Sequence, residues 1–578
     1  MHPLAGERQA GRCTVRPVDA SEQRGENRLR TRLHTFGLSG RDVVLCVVAL
    51  LCAIFLGSWG FTNHVFWDDE ASTALFARNL LATGELTAWD GVNLVGYRQG
   101  VQLDERLRNP FAPPLQYYLA AAGFFFFGET TFGGRILFFI SGILILPLLM
   151  IWTQRHFDKR VPIWLPSLIV ALSPAYLLFI RQCRYFAPAM FFTLALLAAW
   201  SWTGTTIRAR CAGLMVGALS TVGLWYTNYL NAASALAMLP VLLLDGRYRT
   251  RQKGIFLGVI FAVSMGCGIH IYLTGSPSLA HFAPADAVTG MARIAALFVR
   301  HMAGLGSFEF FPILILPVLL MPISAKRFQR LRPFAQQGWV ISLVMVAAVL
   351  ATALFSPQPV SSTTTTNADM RYVTPLIVVG ASVTAVCLVI LWGFSRPLAC
   401  VVAALAVMTN ALTLAWNVWP QIPLRSTLLS YIVEGALHYQ TGTDALVEAV
   451  AALPRGSSLL IIPDHMTYGP MFYVPGQRFS WQLTEKKTLQ PGLRERLPDY
   501  LFVERAQPDF IITGPVLPEV LIAYFERKFG KGTYRLRGYM KEDMRDFSRP
   551  EIPWHSFGPP SKDGKWPAAI IEAVKPLS

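Results

Sequence analysis

Charge is what this sequence has least of. Of its 578 residues 15% are charged and 53% hydrophobic, and the mean hydropathy is +0.41. A soluble globular chain carries about 25% charged residues, so the shortfall excludes an ordinary water-soluble globule. The charge that is present gathers in residues 1–41, in short clusters between apolar runs, and after about residue 420. That distribution predicts membrane spans with a polar segment at each end. Cysteine is scarce too. Cys13, Cys46, Cys52, Cys183, Cys211, Cys267, Cys387 and Cys400 lie mostly in or beside apolar runs, and none follows. With no C-x-x-C spacing, neither a disulfide framework nor a thiolate metal site is expected. Acidic residues are outnumbered, and the net charge is +16. The basic residues are scattered among loops, so nucleic acid is not an expected partner; Lys and Arg retained on one face of a membrane account for the excess.

Long apolar runs are abundant. Stretches long enough to cross roughly 30 Å of hydrocarbon occur near 42–61, 135–153, 161–180, 186–203, 211–229, 254–273, 308–323, 338–356, 372–394 and 398–418, with a shorter one at 231–244. The expected fold is mainly α: a polytopic transmembrane helix bundle of about 11 spans, with outer-loop surface helices and a C-terminal soluble α/β domain. Residues 1–41 hold Arg8, Arg12, Arg16, Arg24, Arg28, Arg30, Arg32 and Arg41. They are too long and polar for a signal-peptide n-region, and no small-residue cleavage site follows. A disordered basic cytoplasmic arm and an uncleaved first span are expected.

Topology turns on the apolar stretch 113–127. Counted as a span, it places Arg155, His156, Lys159 and Arg160 outside; laid along the outer surface, it keeps every strong basic cluster inside, as cytoplasmic loops require. The second arrangement puts the N-terminus in the cytoplasm, the first loop (62–134) outside, the bundle over 42–420, and the domain 421–578 outside. Segments 69–83 and 284–304 then read as amphipathic surface helices, and 356–370 as a polar outer loop. Beyond 420, a helix at 443–453, strands at SSLLIIPD and PDFIITG, a helix over 516–530 and strands at YRLRGYM and AAIIEAV alternate as in a small α/β domain. The strand ends at Pro463–Asp464 and Gly514–Pro515 border a candidate cleft.

The first outer loop carries the candidate chemistry. HVFWDDEAS sets Asp68, Asp69 and Glu70 at the start of a surface helix, where acids also serve simply as caps and dipole partners. Trp67, Tyr97, Arg98, Arg106, Arg108 and Asn109 accompany them, and a loop this long in a compact chain is usually functional.

The run FWDDEASTALFARNLLATG, followed by NPFAPPLQYYLAAAGFFFFGETTFGGRILFFISGIL, resembles the integral membrane glycosyltransferases of the C fold (GT-C). More narrowly, it resembles bacterial relatives of protein O-mannosyltransferase and of the lipid A aminoarabinose transferase. Asp69-Glu70, Pro113-Pro114-Leu115, Tyr117-Tyr118, Gly128-Glu129 and Arg135 match their pattern, and MRYVTPLIV (Arg371, Tyr372, Pro375) resembles a late segment of theirs. The resemblance runs in order over about 60–205 and more loosely to about 420. It implies an enzyme of the cell inner membrane that moves a hexosyl or pentosyl group, with inversion, from a polyprenyl-phosphate-linked sugar donor. The acceptor is an extracytoplasmic lipid, glycan or protein. Asp69 is the implied general base, with Asp68 open as the alternative; Glu70 stays open between orienting an acceptor, holding a divalent cation and capping the helix. No other cofactor is implied.

Such chemistry needs a carboxylate to take the acceptor proton and cations to meet the leaving phosphate. Arg181, Arg184 and Arg371 fall at outer span ends and are candidates, with Tyr117, Tyr185 and Tyr372 beside them; snorkelling to membrane lipids is the bland alternative for the arginines. Ala112 stands where the family often has His or Lys, and Arg108 is the nearest substitute. Two other readings stay open. A transporter is disfavoured because the spans are nearly free of mid-membrane charge. A non-catalytic envelope scaffold is kept alive by Ala112.

Overall fold

The computed structural model of the chain describes residues 39–96, 103–109, 112–157, 160–201, 206–245, 251–274, 289–324, 326–356, 360, 370–415, 423–437, 439–480, 493–514, 516–540, 550, 555, 557 and 568–574. The arm 1–38, Tyr97, Arg98 and most of the 356–370 loop lie outside the described residues.

Helix α1 (Gly40–Ser58) opens with a capping box: the Ser39 hydroxyl accepts the Asp42 N–H, and the Asp42 carboxylate accepts the Ser39 N–H, so two otherwise unpaired donors are satisfied reciprocally. The acidic triplet opens α2 (Asp68–Thr83), which stops at Gly84 in the left-handed conformation that glycine adopts at no steric cost. Next come α3 (Leu115–Phe127) and α4 (Thr131–His156). They cross at two glycines so closely that a Cβ on Gly123 would lie 2.2 Å from the Gly133 carbonyl oxygen.

The apolar run 161–180 is two short helices, α5 (Trp164–Ala171) and α6 (Pro174–Ile180). Ser173 accepts the Tyr176 N–H and Pro174 occupies the first turn, a start signal that begins a new helix inside the span. The break is completed by Glu309, a buried carboxylate whose Oε1 accepts the Ser173 hydroxyl and the Ala175 N–H, both at 2.9 Å. The bundle therefore encloses an ionisable group, and the stretch 308–323 that supplies it is not a continuous α-helix: Ile313–Leu320 is 3-10.

The remaining bundle helices are α7 (Phe186–Ser201), α8 (Ile207–Thr227), α9 (Tyr229–Val241), α10 (Arg251–Thr274), α11 (Gly290–Leu305), α12 (Arg332–Phe355), α13 (Leu376–Phe394) and α14 (Arg396–Met408). Among the described residues six helices are long and apolar enough to cross a membrane: α1, α4, α8, α10, α12 with its lead-in from Gln329, and α13. Shorter apolar helices lie at Leu115–Phe127, Phe186–Ser201, Tyr229–Leu244 and Arg396–Met408.

The C-terminal region begins with α15 (Thr427–Ala436) and α16 (Gly442–Ala451). It then forms one sheet from β1 (Ser458–Ile462), β2 (Arg478–Phe479), β3 (Phe510–Thr513), β4 (Tyr534–Tyr539) and β5 (Ala569–Ala573), in the order β2-β1-β3-β5-β4. β1 pairs parallel with both its neighbours, and β5 pairs antiparallel with β3 and β4. Helices α17 (Tyr468–Tyr473) and α18 (Pro518–Phe529) pack beside it.

Helix α2, expected to lie on an interface, is instead buried between α3 and α17. Ala71, Ala74, Leu75, Phe76 and Ala77 are closed off in one apolar cluster with Phe124, Phe472 and residues of the sheet. Polar ties fasten the same seam. Arg78 donates to the Phe472 and Met471 carbonyls and lies over the Phe472 ring. Asn93 donates to Gln477 O and accepts the Phe479 N–H, while Trp59 and Tyr431 bind α15 to the end of α1. Residues of the first loop and of the C-terminal region thus share one apolar core, which also takes in Phe138 and Cys183.

The α3–α4 crossing leads to a prediction. Gly123→Leu forces two backbones apart, and overpacking of this kind costs about 1–3 kcal/mol. Its apparent melting temperature in detergent is expected to fall, while Gly258→Leu, where a Cβ meets nothing within 4 Å, leaves it unchanged.

Candidate active site

Three consecutive acids in the first turn of a helix point in three directions, and each finds a different environment. Glu70 points inward and is fully buried. Its carboxylate takes a two-pronged pair from Arg135, Nε to Oε1 at 2.9 Å and Nη2 to Oε2 at 2.6 Å, and the Cys183 N–H at 2.7 Å. The Arg135 fork is filled by the carbonyls of Phe61 (2.9 Å), His64 (3.2 Å) and Val65 (3.3 Å). A buried ion pair holds only when its remaining donors and acceptors are satisfied in this way. Glu70 therefore ties α2, the start of α4, the 61–65 turn and the 181–185 turn together.

Asp68 is also buried: Oδ1 accepts the Asp69 N–H at 2.6 Å, and Oδ2 lies 3.8 Å from His465 Nε2. Asp69 faces the open side and is 25% exposed. Its Oδ2 accepts from Arg371 Nη1 at 2.6 Å, and its Oδ1 lies 3.4 Å from Arg184 Nη2. Arg184 also donates to the Asp69 carbonyl (3.2 Å) and the Thr73 hydroxyl (2.9 Å). Burial works against its charge, but the Asp69 carboxylate, helped by the nearby Tyr185 and Tyr117, outweighs this and holds the guanidinium above its ordinary range.

The aromatic candidates frame this cluster. Arg184 lies over the Tyr185 ring and Arg371 over the Tyr372 ring. The Tyr372 carbonyl accepts from Asn231 at 2.7 Å, which fixes the turn that carries Arg371. Tyr117 is buried against Phe76 with ring centroids 5.0 Å apart. Burial pushes its phenol up to about 12, while the nearby Arg184 and Asp69 charges pull in opposite directions; at neutral pH it is an uncharged hydroxyl.

Two candidate arginines are engaged elsewhere. Arg181 donates to the Trp59 carbonyl at 3.3 Å and lies over the Tyr431 ring, facing α15. Arg108 pairs with Asp104 in its own loop, Nε to Oδ2 at 2.9 Å. Three residues of the cluster were not read from the sequence. Thr73 had a signal, one helical turn beyond Asp69; Asn231 and His465 had none, since each arrives from a distant element. Among the described residues no group of three or more His, Cys, Asp or Glu is placed to hold a metal ion.

The arrangement joins a solvent-reachable carboxylate to two guanidiniums with the fork geometry that recognises phosphate as well as carboxylate. The two acids at 69 and 70 are expected to separate by mutation. Glu70→Gln strands Arg135, and breaking a buried pair costs about 3–5 kcal/mol, so thermal melts of the purified protein should shift strongly. Asp69→Asn, partly exposed and still able to accept from Arg371, should leave the melt close to wild type.

No protein-family model matches the chain, and no curated protein matches it in sequence. Among solved structures it is similar to ArnT from Cupriavidus metallidurans bound to undecaprenyl phosphate, at 14% identity and a TM-score of 0.49, over 92% of this chain and 98% of that one. The apo state of that protein is similar at 13% identity and a TM-score of 0.48, over 91% and 97%. The Archaeoglobus fulgidus oligosaccharyltransferase, in complex with Zn and sulfate, is similar at 13% identity and a TM-score of 0.42, over 81% of this chain and 68% of that one.

Proposed function

We propose that this chain is a multi-pass glycosyltransferase of the inner membrane that moves a sugar from polyprenyl phosphate to a hydroxyl acceptor on the extracytoplasmic side. The observation that carries the reading is Asp69 held between Arg184 and Arg371, at the Asp-Glu pair that resembles the C-fold pattern. The acceptor oxygen attacks the anomeric carbon and gives its proton to Asp69. The bond from that carbon to the phosphate oxygen breaks, and its electron pair leaves with the lipid phosphate. Arg184 and Arg371 meet the charge that develops there. Attack opposite the departing phosphate inverts the anomeric centre.

At rest the carboxylate and the two arginines satisfy each other. An arriving lipid phosphate competes for the arginines and releases Asp69 toward the acceptor. His465, 38% exposed and 3.8 Å from the buried Asp68, comes from the C-terminal region, which suits it to the acceptor rather than the donor. The sugar is a hexose or pentose, and the acceptor a lipid, glycan or protein; the N-terminus faces the cytoplasm, and residues 421–578 form the outer domain. Arg108, the nearest substitute for the basic residue that the family often has at the place of Ala112, is engaged by Asp104, and this is the one observation that favours a non-catalytic scaffold.

Membranes expressing the full chain are expected to transfer sugar from a panel of polyprenyl-phosphate donors. Asp69→Asn should lower the rate by about 10²–10⁴-fold, the usual worth of a positioned base, at normal expression. Activity of Asp69→Asn equal to wild type would move the base to Asp68, and inactivity of the wild type across donors and acceptors would favour the scaffold.

A further inference from the structure

We propose that Glu309, a carboxylate outside the Asp69 cluster, is a positioning residue for the donor phosphate: it fixes one end of a buried strut whose other end carries Arg184. The strut is α6 with the turn that follows it, residues 173–184. The inference rests on the glycosyltransferase reading above.

A helix as short as α6 does not hold its own shape, and all of its residues are buried. Its end groups therefore need partners within the fold. At the first turn every donor has one. Pro174 brings no N–H. The Leu177 N–H goes to the Ser173 carbonyl at 3.0 Å, and the Tyr176 N–H to the Ser173 hydroxyl at 3.4 Å. The Ser173 hydroxyl proton and the Ala175 N–H both go to Glu309 Oε1. Glu309 follows α11 in the chain and is 2% exposed. Arg425, from the C-terminal region, lies within electrostatic reach of it, so an opposite charge accompanies the two donors.

The other end of the segment is fastened as firmly. Gln182 donates to the Leu178 carbonyl at 3.1 Å and accepts the Trp67 indole N–H at 2.5 Å. Next to it the Cys183 N–H meets Glu70, and Arg184 meets the Asp69 carbonyl and Thr73. Two buried carboxylates from separate parts of the fold thus grip one segment: Glu70 sets its turn against α2, and Glu309 sets where α6 stands along its own axis. Arg371 arrives on a different element. A slip of α6 therefore moves Arg184 relative to Arg371 and spoils the spacing of the two guanidiniums that receive the phosphate. Glu309 touches none of the reacting groups and acts only through α6.

The test uses the full chain purified in detergent, with decaprenyl phosphate as the ligand. Each variant is measured well below its melting temperature, where a protein that is merely less stable binds as wild type does. Glu309→Leu should weaken binding about tenfold, the worth of one hydrogen bond to a charged group, and should speed amide hydrogen exchange across 173–184. Glu309→Gln keeps an accepting oxygen and should match wild type in both. Unchanged binding by Glu309→Leu, weaker binding without faster exchange, or an equal loss in Glu309→Gln would overturn the positioning role and leave the glycosyltransferase reading standing. Absence of binding by the wild type would remove that reading, and this proposal with it. If Glu309→Leu does not fold, Ser173→Ala replaces it: the same two changes are expected in smaller degree, and wild-type behaviour would overturn the proposal.

Discussion

The pair between Glu70 and Arg135 is the interaction on which the site depends. Both side chains are buried, backbone groups of the 61–65 turn and of Cys183 fill the geometry around them, and with α2 and α4 four separate stretches of chain meet here. A charge pair so enclosed contributes little net stability compared with an apolar replacement of the same shape. What it fixes is position. With Glu70 held against the start of α4 and the Cys183 N–H, the preceding residue can face only the open side, and the turn that carries Arg184 is brought alongside it.

Asp69 is then set by its neighbours rather than by its own burial. One arginine comes from the turn between α6 and α7, the other from the 3-10 turn ahead of α13, 302 residues beyond Asp69. Each is steadied by an aromatic ring and by a polar contact of its segment, Thr73 for Arg184 and Asn231 for the Arg371 turn. The C-terminal region packs against the helix that carries Asp69. Its α17 packs on α2, and the turn after β1 sets His465 next to the buried Asp68, 3.8 Å away.

Much of this was legible in sequence, and the part that was not has physical reasons. Spans announce themselves because hydrocarbon demands long apolar runs, and the alternation of β1, β3 and α18 announces itself because a sheet and its helices have different periods. The break at Ser173–Pro174 was written as a cap followed by proline, but apolarity over 161–180 masked it. Glu309 was hidden for the same reason, inside a run apolar enough to read as a span. The acids of α2 were legible as a group, whereas their division of labour was not: Glu70 becomes a buried clamp and Asp69 a partly exposed carboxylate between two arginines only because Arg135, Arg184 and Arg371 converge from afar. Arg108 shows the converse, a cation that suits the chemistry by its place in the chain but is engaged by Asp104 three-dimensionally.

If Asp69 and an incoming lipid phosphate compete for the same two arginines, removing the carboxylate should help the lipid bind while stopping the chemistry. The direct measurement is the affinity of the purified protein for a polyprenyl phosphate, wild type beside Asp69→Asn. The account predicts that the variant binds as tightly as wild type or more tightly. Clearly weaker binding by a variant that folds normally would contradict it, because the carboxylate would then be supporting the donor rather than sharing its partners.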